Sequence, residues 1–170
     1  MVDVLLRNGK TIQIVEYNDS FADSMALDLF VGVSKEKIIQ EREYLLAPGP
    51  EEAYSVCALS ESIVIGVCTG IRKQWFGERH RIEMVQVVIN EQFRKLGLAR
   101  HMMKVIARHF RNYGIEIVEI GVQSDNEEAF QAYTRIGFKK YGVFQNGLKF
   151  GDEYYDDILL SMTLSDLLVE

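Results

Sequence analysis

Residues 85–102 read Val85-Gln86-Val87-Val88-Ile89-Asn90-Glu91-Gln92-Phe93-Arg94-Lys95-Leu96-Gly97-Leu98-Ala99-Arg100-His101-Met102, and this stretch decides the fold. An apolar strand passes through Gln92-Phe93 into a small-residue turn and then directly into a helix. Glycine at 97 and alanine at 99 let backbone N–H groups approach a ligand closely, and the helix dipole adds partial positive charge there. Arg94, Lys95 and Arg100 add formal charge suited to a pyrophosphate. The pattern predicts a phosphorylated ligand, although an ordinary helix start with exposed Arg and Lys has the same local composition.

Outward from this turn, the helix carries Leu98, Met102, Val105, Ile106 and Phe110 on one side and Arg100, Lys104, Arg108 and Arg111 on the other, and Gly114 closes it. Residues 115–122 form a continuous apolar strand. Ser124, followed three residues later by Glu127, predicts a capping box that opens a helix through Ile136, with Gly137 as the stop. Residues 138–144 and 154–164 read as further strands. Upstream, residues 53–59, 63–72 and 83–89 are strands, preceded by the helix-breaking Pro48-Gly49-Pro50. Two helices are expected before that loop, one from Asp19 and one after Ser34. At the N-terminus, residues 2–7 and 11–16 form a hairpin through Asn8-Gly9, a dipeptide that supplies positive φ. The order is a mixed α/β pattern in which a helix links two parallel strands through the middle of the chain.

A chain of 170 residues with 48% hydrophobic and 26% charged residues is expected to form one globular domain over 1–170, with no repeat and no linker. Its net charge of −6 argues against nucleic acid or anionic lipid as a partner. No apolar run reaches the ~18–20 residues of a membrane span, and Asp3 stands where a signal peptide wants a base. The expectation is a soluble, cytoplasmic protein. Cys57 and Cys68 are too few for a disulfide framework, and no Cys or His cluster has metal-ligand spacing, so no metal is expected.

Two motifs together point to a family. Arg94-x-x-Gly97-x-Ala99 resembles the Arg/Gln-x-x-Gly-x-Gly/Ala signature of the GNAT acetyltransferase superfamily. Asn126-x-x-Ala129-x-x-x-Tyr133-x-x-x-Gly137-Phe138 resembles its second signature. The resemblance covers residues 55–164. It implies the GNAT acyl-CoA N-acyltransferase fold, a central twisted mixed sheet flanked by helices, to which the N-terminal β-hairpin is an addition. It further implies that acetyl-CoA lies between the strands 83–89 and 117–122, which splay apart where the first carries a bulge. Backbone groups of Val87, Val88 and Ile89 would then bond the pantetheine amides, and Arg94, Lys95, Leu96, Gly97, Leu98, Ala99 and Arg100 would hold the diphosphate. Asn126 resembles the residue that bonds the pantetheine, and it also suits an N-cap.

The implied chemistry is direct attack of a primary amine on the thioester in a ternary complex. Tyr133 aligns with the general acid, because a phenol with an ordinary pKa near 10 stays protonated at neutral pH. Glu83 is the candidate base. Period-two counting puts it on one face with Val85, Val87 and Ile89, and a salt-bridged glutamate is the competing reading. A main-chain N–H near Val88 would polarise the carbonyl. Cys57 and Cys68 lack cationic neighbours and are read as core rather than as acetyl carriers. His80, His101 and His109 receive no catalytic role.

On the acceptor side, the run 151–157 concentrates acids and phenols that suit a cationic amine, with Asp156 expected to point inward, although a solvated sheet edge explains the same residues. Trp75 is a second tentative acceptor contact. The partners expected are acetyl-CoA and a small cationic amine or a protein N-terminus, with a homodimer through exposed β edges. The rival is a non-catalytic acyl-CoA sensor of the same fold. A nucleotide hydrolase lacks the Gly-x-x-x-x-Gly-Lys-Ser/Thr pattern.

Overall fold

Alternation builds the N-terminal strands. In a computed structural model describing residues 1–169, β1 (Val2–Leu5) and β2 (Thr11–Glu16) pair antiparallel, burying Val4, Ile12 and Ile14 on one face. Glu170, the last residue of the expected domain, lies outside the described residues. In the turn, the Leu6 N–H donates to Lys10 O and the Gly9 N–H to Leu6 O, both at 2.9 Å. Of Asn8 and Gly9, only Gly9 takes positive φ, at 81°. The connection is therefore a longer loop with one left-handed glycine, not a tight turn with both residues left-handed.

A helical stretch over residues 19–29 includes α1 (Ala22–Ser24) and ends in a wider turn, where the Phe30 N–H reaches Met25 O at 2.7 Å. Then come α2 (Lys35–Leu46), capped by Ser34, β3 (Ala53–Ser60), β4 (Ile63–Arg72) and β5 (Arg81–Ile89). The long amphipathic helix is α3 (Leu98–Phe110), followed by β6 (Ile117–Gln123), α4 (Glu127–Ile136), β7 (Lys139–Phe150) and β8 (Glu153–Thr163). The sheet order is β1-β2-β3-β4-β5-β6-β8-β7, and β5–β6 is its parallel pair, joined through α3.

Most strand ends lie one or two residues from expectation, and β7 differs further. Strand β7 continues to Phe150, because pairing with β8 resumes at Leu148 after an irregularity. The last strand, expected through Leu164, stops at Thr163, and Leu164 opens a short helix, α5 (Leu164–Leu168), whose Leu164 and Leu167 are buried at helical spacing and whose first turn is capped by Thr163.

Each face of the sheet has its own core. Beneath α3 lie Leu98, Met102, Ile106 and Phe110, fully buried at four-residue spacing against Ile82, Met84, Val118 and Ile120. Burying each such side chain stabilises the fold by about 1.5–3 kcal/mol. On the other face, Met25 and Ile38 pack on Cys57, Val64 and Val67. Arg42 of α2 is buried there, with Nη1 donating to Ser55 Oγ at 3.1 Å and Thr69 Oγ1 at 2.6 Å and the guanidinium over the Tyr17 ring. Lys104, expected on the polar face of α3, is instead 9% exposed, with its Nζ donating to Val169 O at 2.7 Å. The chain end returns across that side of α3 and covers it. Among the described residues no helix is long and apolar enough to cross a membrane.

Candidate active site

The site begins as a break in pairing. Strands β5 and β6 are in register from Arg81↔Ile117 to Met84↔Ile120 and do not pair beyond it. At the same point β5 bulges. Thr69 pairs with Val85 but Val67 pairs with Val88, so Cys68 faces two residues, and Gln86 takes φ 50°. The extra residue reverses the alternation. Val87 and Ile89 pack into the core beneath α3, whereas Val88 packs into the opposite core. Glu83 and Val85 alternate with the buried Ile82 and Met84, so they face away from α3. Glu83 therefore does not share a face with Val87 and Ile89.

The gap opens into a cleft of about 870 Å³ between α3 and α4. Its lining includes Val87, Val88, Ile89, Arg94, Lys95, Gly97, Leu98, Ala99, Arg100, Asn126 and Tyr133. Leu96 is not among the lining residues. It packs against the core, and its carbonyl accepts from the Arg7 N–H at 3.4 Å. At the base of the cleft, Gly97 precedes α3 with φ 90° and ψ 0° and offers no side-chain cap to the helix. The first N–H groups of α3 thus have neither an intrahelical partner nor a capping oxygen, which suits them to an anion. Arg94 is held by its Nε donating to Ile89 O at 3.1 Å. Arg7, from the N-terminal hairpin, also lines the cleft, and its Nε stands 4.0 Å from the place a Cβ on Gly97 would occupy. Sequence reasoning missed this cation because it comes from ninety residues upstream.

Helix α4 supplies the opposite wall. Its cap is Asn126 and not Ser124: Asn126 Oδ1 accepts from the Ala129 N–H at 3.1 Å, so the expected box from Ser124 to Glu127 does not form. Asn126 consequently both caps the helix and lines the cleft. Two turns on, Tyr133 is 8% exposed and meets Phe138 edge-to-face at 6.2 Å. Burial pushes its phenol well above the ordinary value, so the hydroxyl is protonated at neutral pH.

The face of the sheet away from α3 is charged around the gap. Lys73 Nζ donates to Glu83 and lies 3.6 Å from Glu119, which also accepts from Arg81 Nη1 at 2.6 Å. Burial works against the Lys73 ammonium, but the Glu83 contact outweighs it and holds the ammonium above its ordinary value. Asp156 does not point inward: its carboxylate accepts the Asn146 N–H at 2.9 Å and closes the irregularity in β7. Its neighbour Asp157 does, with Oδ1 2.6 Å from where a Cβ on Gly121 would be. Trp75 is 74% exposed, precedes the closed end of the β5–β6 pair, and is absent from the cleft lining. Burial pushes the Cys57 and Cys68 thiols up to about 12, so neither supplies a thiolate. His109 stacks on Tyr54 at 3.8 Å.

A sheet split between two parallel strands, with an uncapped basic helix start at the mouth of the split, is a site built for a long ligand with an anionic end. The chain belongs to the acetyltransferase (GNAT) family, whose model matches residues 18–138. Solved structures share the fold at low identity. An N-acetyltransferase from Staphylococcus aureus Mu50 is 14% identical with a TM-score of 0.74, covering 91% of this chain and 99% of that one. The yncA protein of Salmonella typhimurium, solved with its cofactor acetyl-CoA, is 14% identical with a TM-score of 0.71, covering 91% and 95%. A ribosomal-protein-alanine N-acetyltransferase from Brucella melitensis is 16% identical with a TM-score of 0.70, covering 89% and 99%. Among curated proteins no match is found.

Proposed function

We propose that this protein transfers the acetyl group of acetyl-CoA to a primary amine by direct attack in a ternary complex. The loss of β5–β6 pairing beyond Met84 and Ile120, opening into a cleft based on Gly97, carries this reading. The unpaired backbone of β5 is free to bond the pantetheine amides as a neighbouring strand would. The uncapped start of α3, with Arg94, Lys95, Arg100 and Arg7, suits the phosphates. Tyr133 lines the cleft from the α4 side and would protonate the departing thiolate. Glu83, the base the sequence suggests, lies on the face away from α3 and is ion-paired with Lys73. The acceptor is a small cationic amine or a protein N-terminus, which fits the carboxylates on that face. Acetyl-CoA bound to the yncA protein, a structure of the same fold, supports the choice of donor.

The test is thiol release from acetyl-CoA with putrescine, tyramine, alaninamide and a short peptide with a free N-terminus. Steady release that depends on one of these amines is expected. Calorimetric uptake of acetyl-CoA with no release across the panel would make the protein a sensor instead.

Arg7→Ala should weaken acetyl-CoA about two- to fivefold, because one exposed charge contact contributes roughly 0.5–1 kcal/mol. Calorimetry at low and high salt checks it: the deficit should shrink as salt screens the contact. An unchanged affinity at low salt would leave Arg7 outside the phosphate site.

A further inference from the structure

We propose that Asp157 is the carboxylate that receives the acceptor's ammonium group and takes its proton. This rests on the acetyl-transfer reading of the same gap. Gly121 is the first residue of β6 beyond its last pair with β5, so it marks the apex of the split. The Asp157 carboxylate lies directly over Gly121, close enough that any side chain there would displace it. Its face is that of Glu119 and Gln123, because Val118, Ile120 and Val122 point into the core beneath α3. Tyr133 belongs to that same core, so acid and carboxylate flank the gap from opposite faces of the sheet.

Charge pairing separates Asp157 from the other carboxylates on this face. Glu83 is bound to Lys73, and Glu119 to Arg81. Among the described residues Asp157 has no cation within ion-pair distance, although it is partly buried. Glu83 and Lys73 are the charges that act on it, while Arg81, Glu119 and Tyr141 belong to the network behind them. Burial and the Glu83 charge lift its carboxyl above the ordinary value, against the pull of the Val122 amide and Lys73. A carboxylate compensated by lysine is a weak proton acceptor, and an uncompensated one attracts a cation.

The step balances as follows. The amine arrives as an ammonium, and one proton passes to Asp157 and then to solvent. The free amine forms the C–N bond at the thioester carbonyl, and the C–S bond breaks. The second amine proton replaces the one that Tyr133 gives to sulfur.

The experiment measures thiol release against pH for wild type, Asp157→Asn and Glu83→Gln with the best amine of the panel above, and acetyl-CoA binding by calorimetry. Asp157→Asn should raise KM for the amine about tenfold, remove the acid limb of the kcat/KM profile, and leave acetyl-CoA affinity within twofold. In wild type that limb should lie above ordinary aspartate, because activity falls as pH drops through a raised pKa. Glu83→Gln should keep the limb. Gly121→Ala, which leaves the carboxylate intact but displaces it, should reproduce the KM defect. An Asp157→Asn enzyme with wild-type amine KM, or one with lower kcat and an unaltered acid limb, overturns the assignment while leaving acetyl transfer standing. Wild type that binds acetyl-CoA and acetylates no amine overturns both.

Discussion

Tyr133→Phe should lower kcat about a hundredfold while acetyl-CoA binds within about threefold of wild type. The substitution removes one hydroxyl and keeps the ring that packs edge-to-face on Phe138 in the core beneath α3. A general acid contributes roughly 10²–10⁴ in rate, and a thiolate leaving group, stable on its own, places this case at the low end. Since burial raises the phenol pKa, wild type should show no alkaline loss of activity from Tyr133 ionisation below about pH 10. Rapid-quench single-turnover rates check the chemical step separately from product release. A variant with wild-type single-turnover rates would remove Tyr133 from the proton path. Fold integrity should be unaffected, because ring and volume are conserved.

What the residues disclosed about this site follows how locally each part is determined. Gly97 was legible because a helix start flanked by Arg94, Lys95 and Arg100 has its own composition, and Tyr133 because its spacing to Gly137 and Phe138 lies within one helix and its stop. The face of Glu83 was not legible. Its reversal relative to Val87 depends on a bulge at Gln86, a residue type with no special preference for positive φ. The choice between Asp156 and Asp157 was closed to sequence for a different reason. Local alternation permits either, and the outcome depends on the pairing of β8 with β6, on an irregularity in β7 that occupies Asp156, and on space at Gly121 thirty-six residues away. Arg7 reaches the cleft because the hairpin turn docks on the loop before α3 through Leu96 O, with Lys10 over the Phe93 ring. Local pattern thus identifies elements and their signature residues, whereas the side chains at the split itself depend on strand pairing between distant segments.

Gly97→Asp should weaken acetyl-CoA by about a hundredfold or more. Two causes add. At φ 90° a residue with a Cβ is strained, at a cost of roughly 1–2 kcal/mol that lowers stability whether or not ligand is present. The second cause acts on binding: a carboxylate at the helix start competes for the same uncapped N–H groups and for Arg7 and Arg94, and it repels the diphosphate. A hundredfold loss corresponds to about 2.7 kcal/mol. Gly97→Ala separates the two causes, because it carries the strain without the charge. Space is not limiting, since the nearest atom to the new Cβ, Arg7 Nε, is 4.0 Å away. Alanine should therefore lower Tm by a few degrees and weaken acetyl-CoA only severalfold, while aspartate, whose carboxylate caps those same N–H groups, should melt no lower than alanine and bind far less. Calorimetry and thermal melts on both variants decide it. Equal affinities in the two variants would mean that the phosphates do not sit at the start of α3, and the cleft would need another ligand.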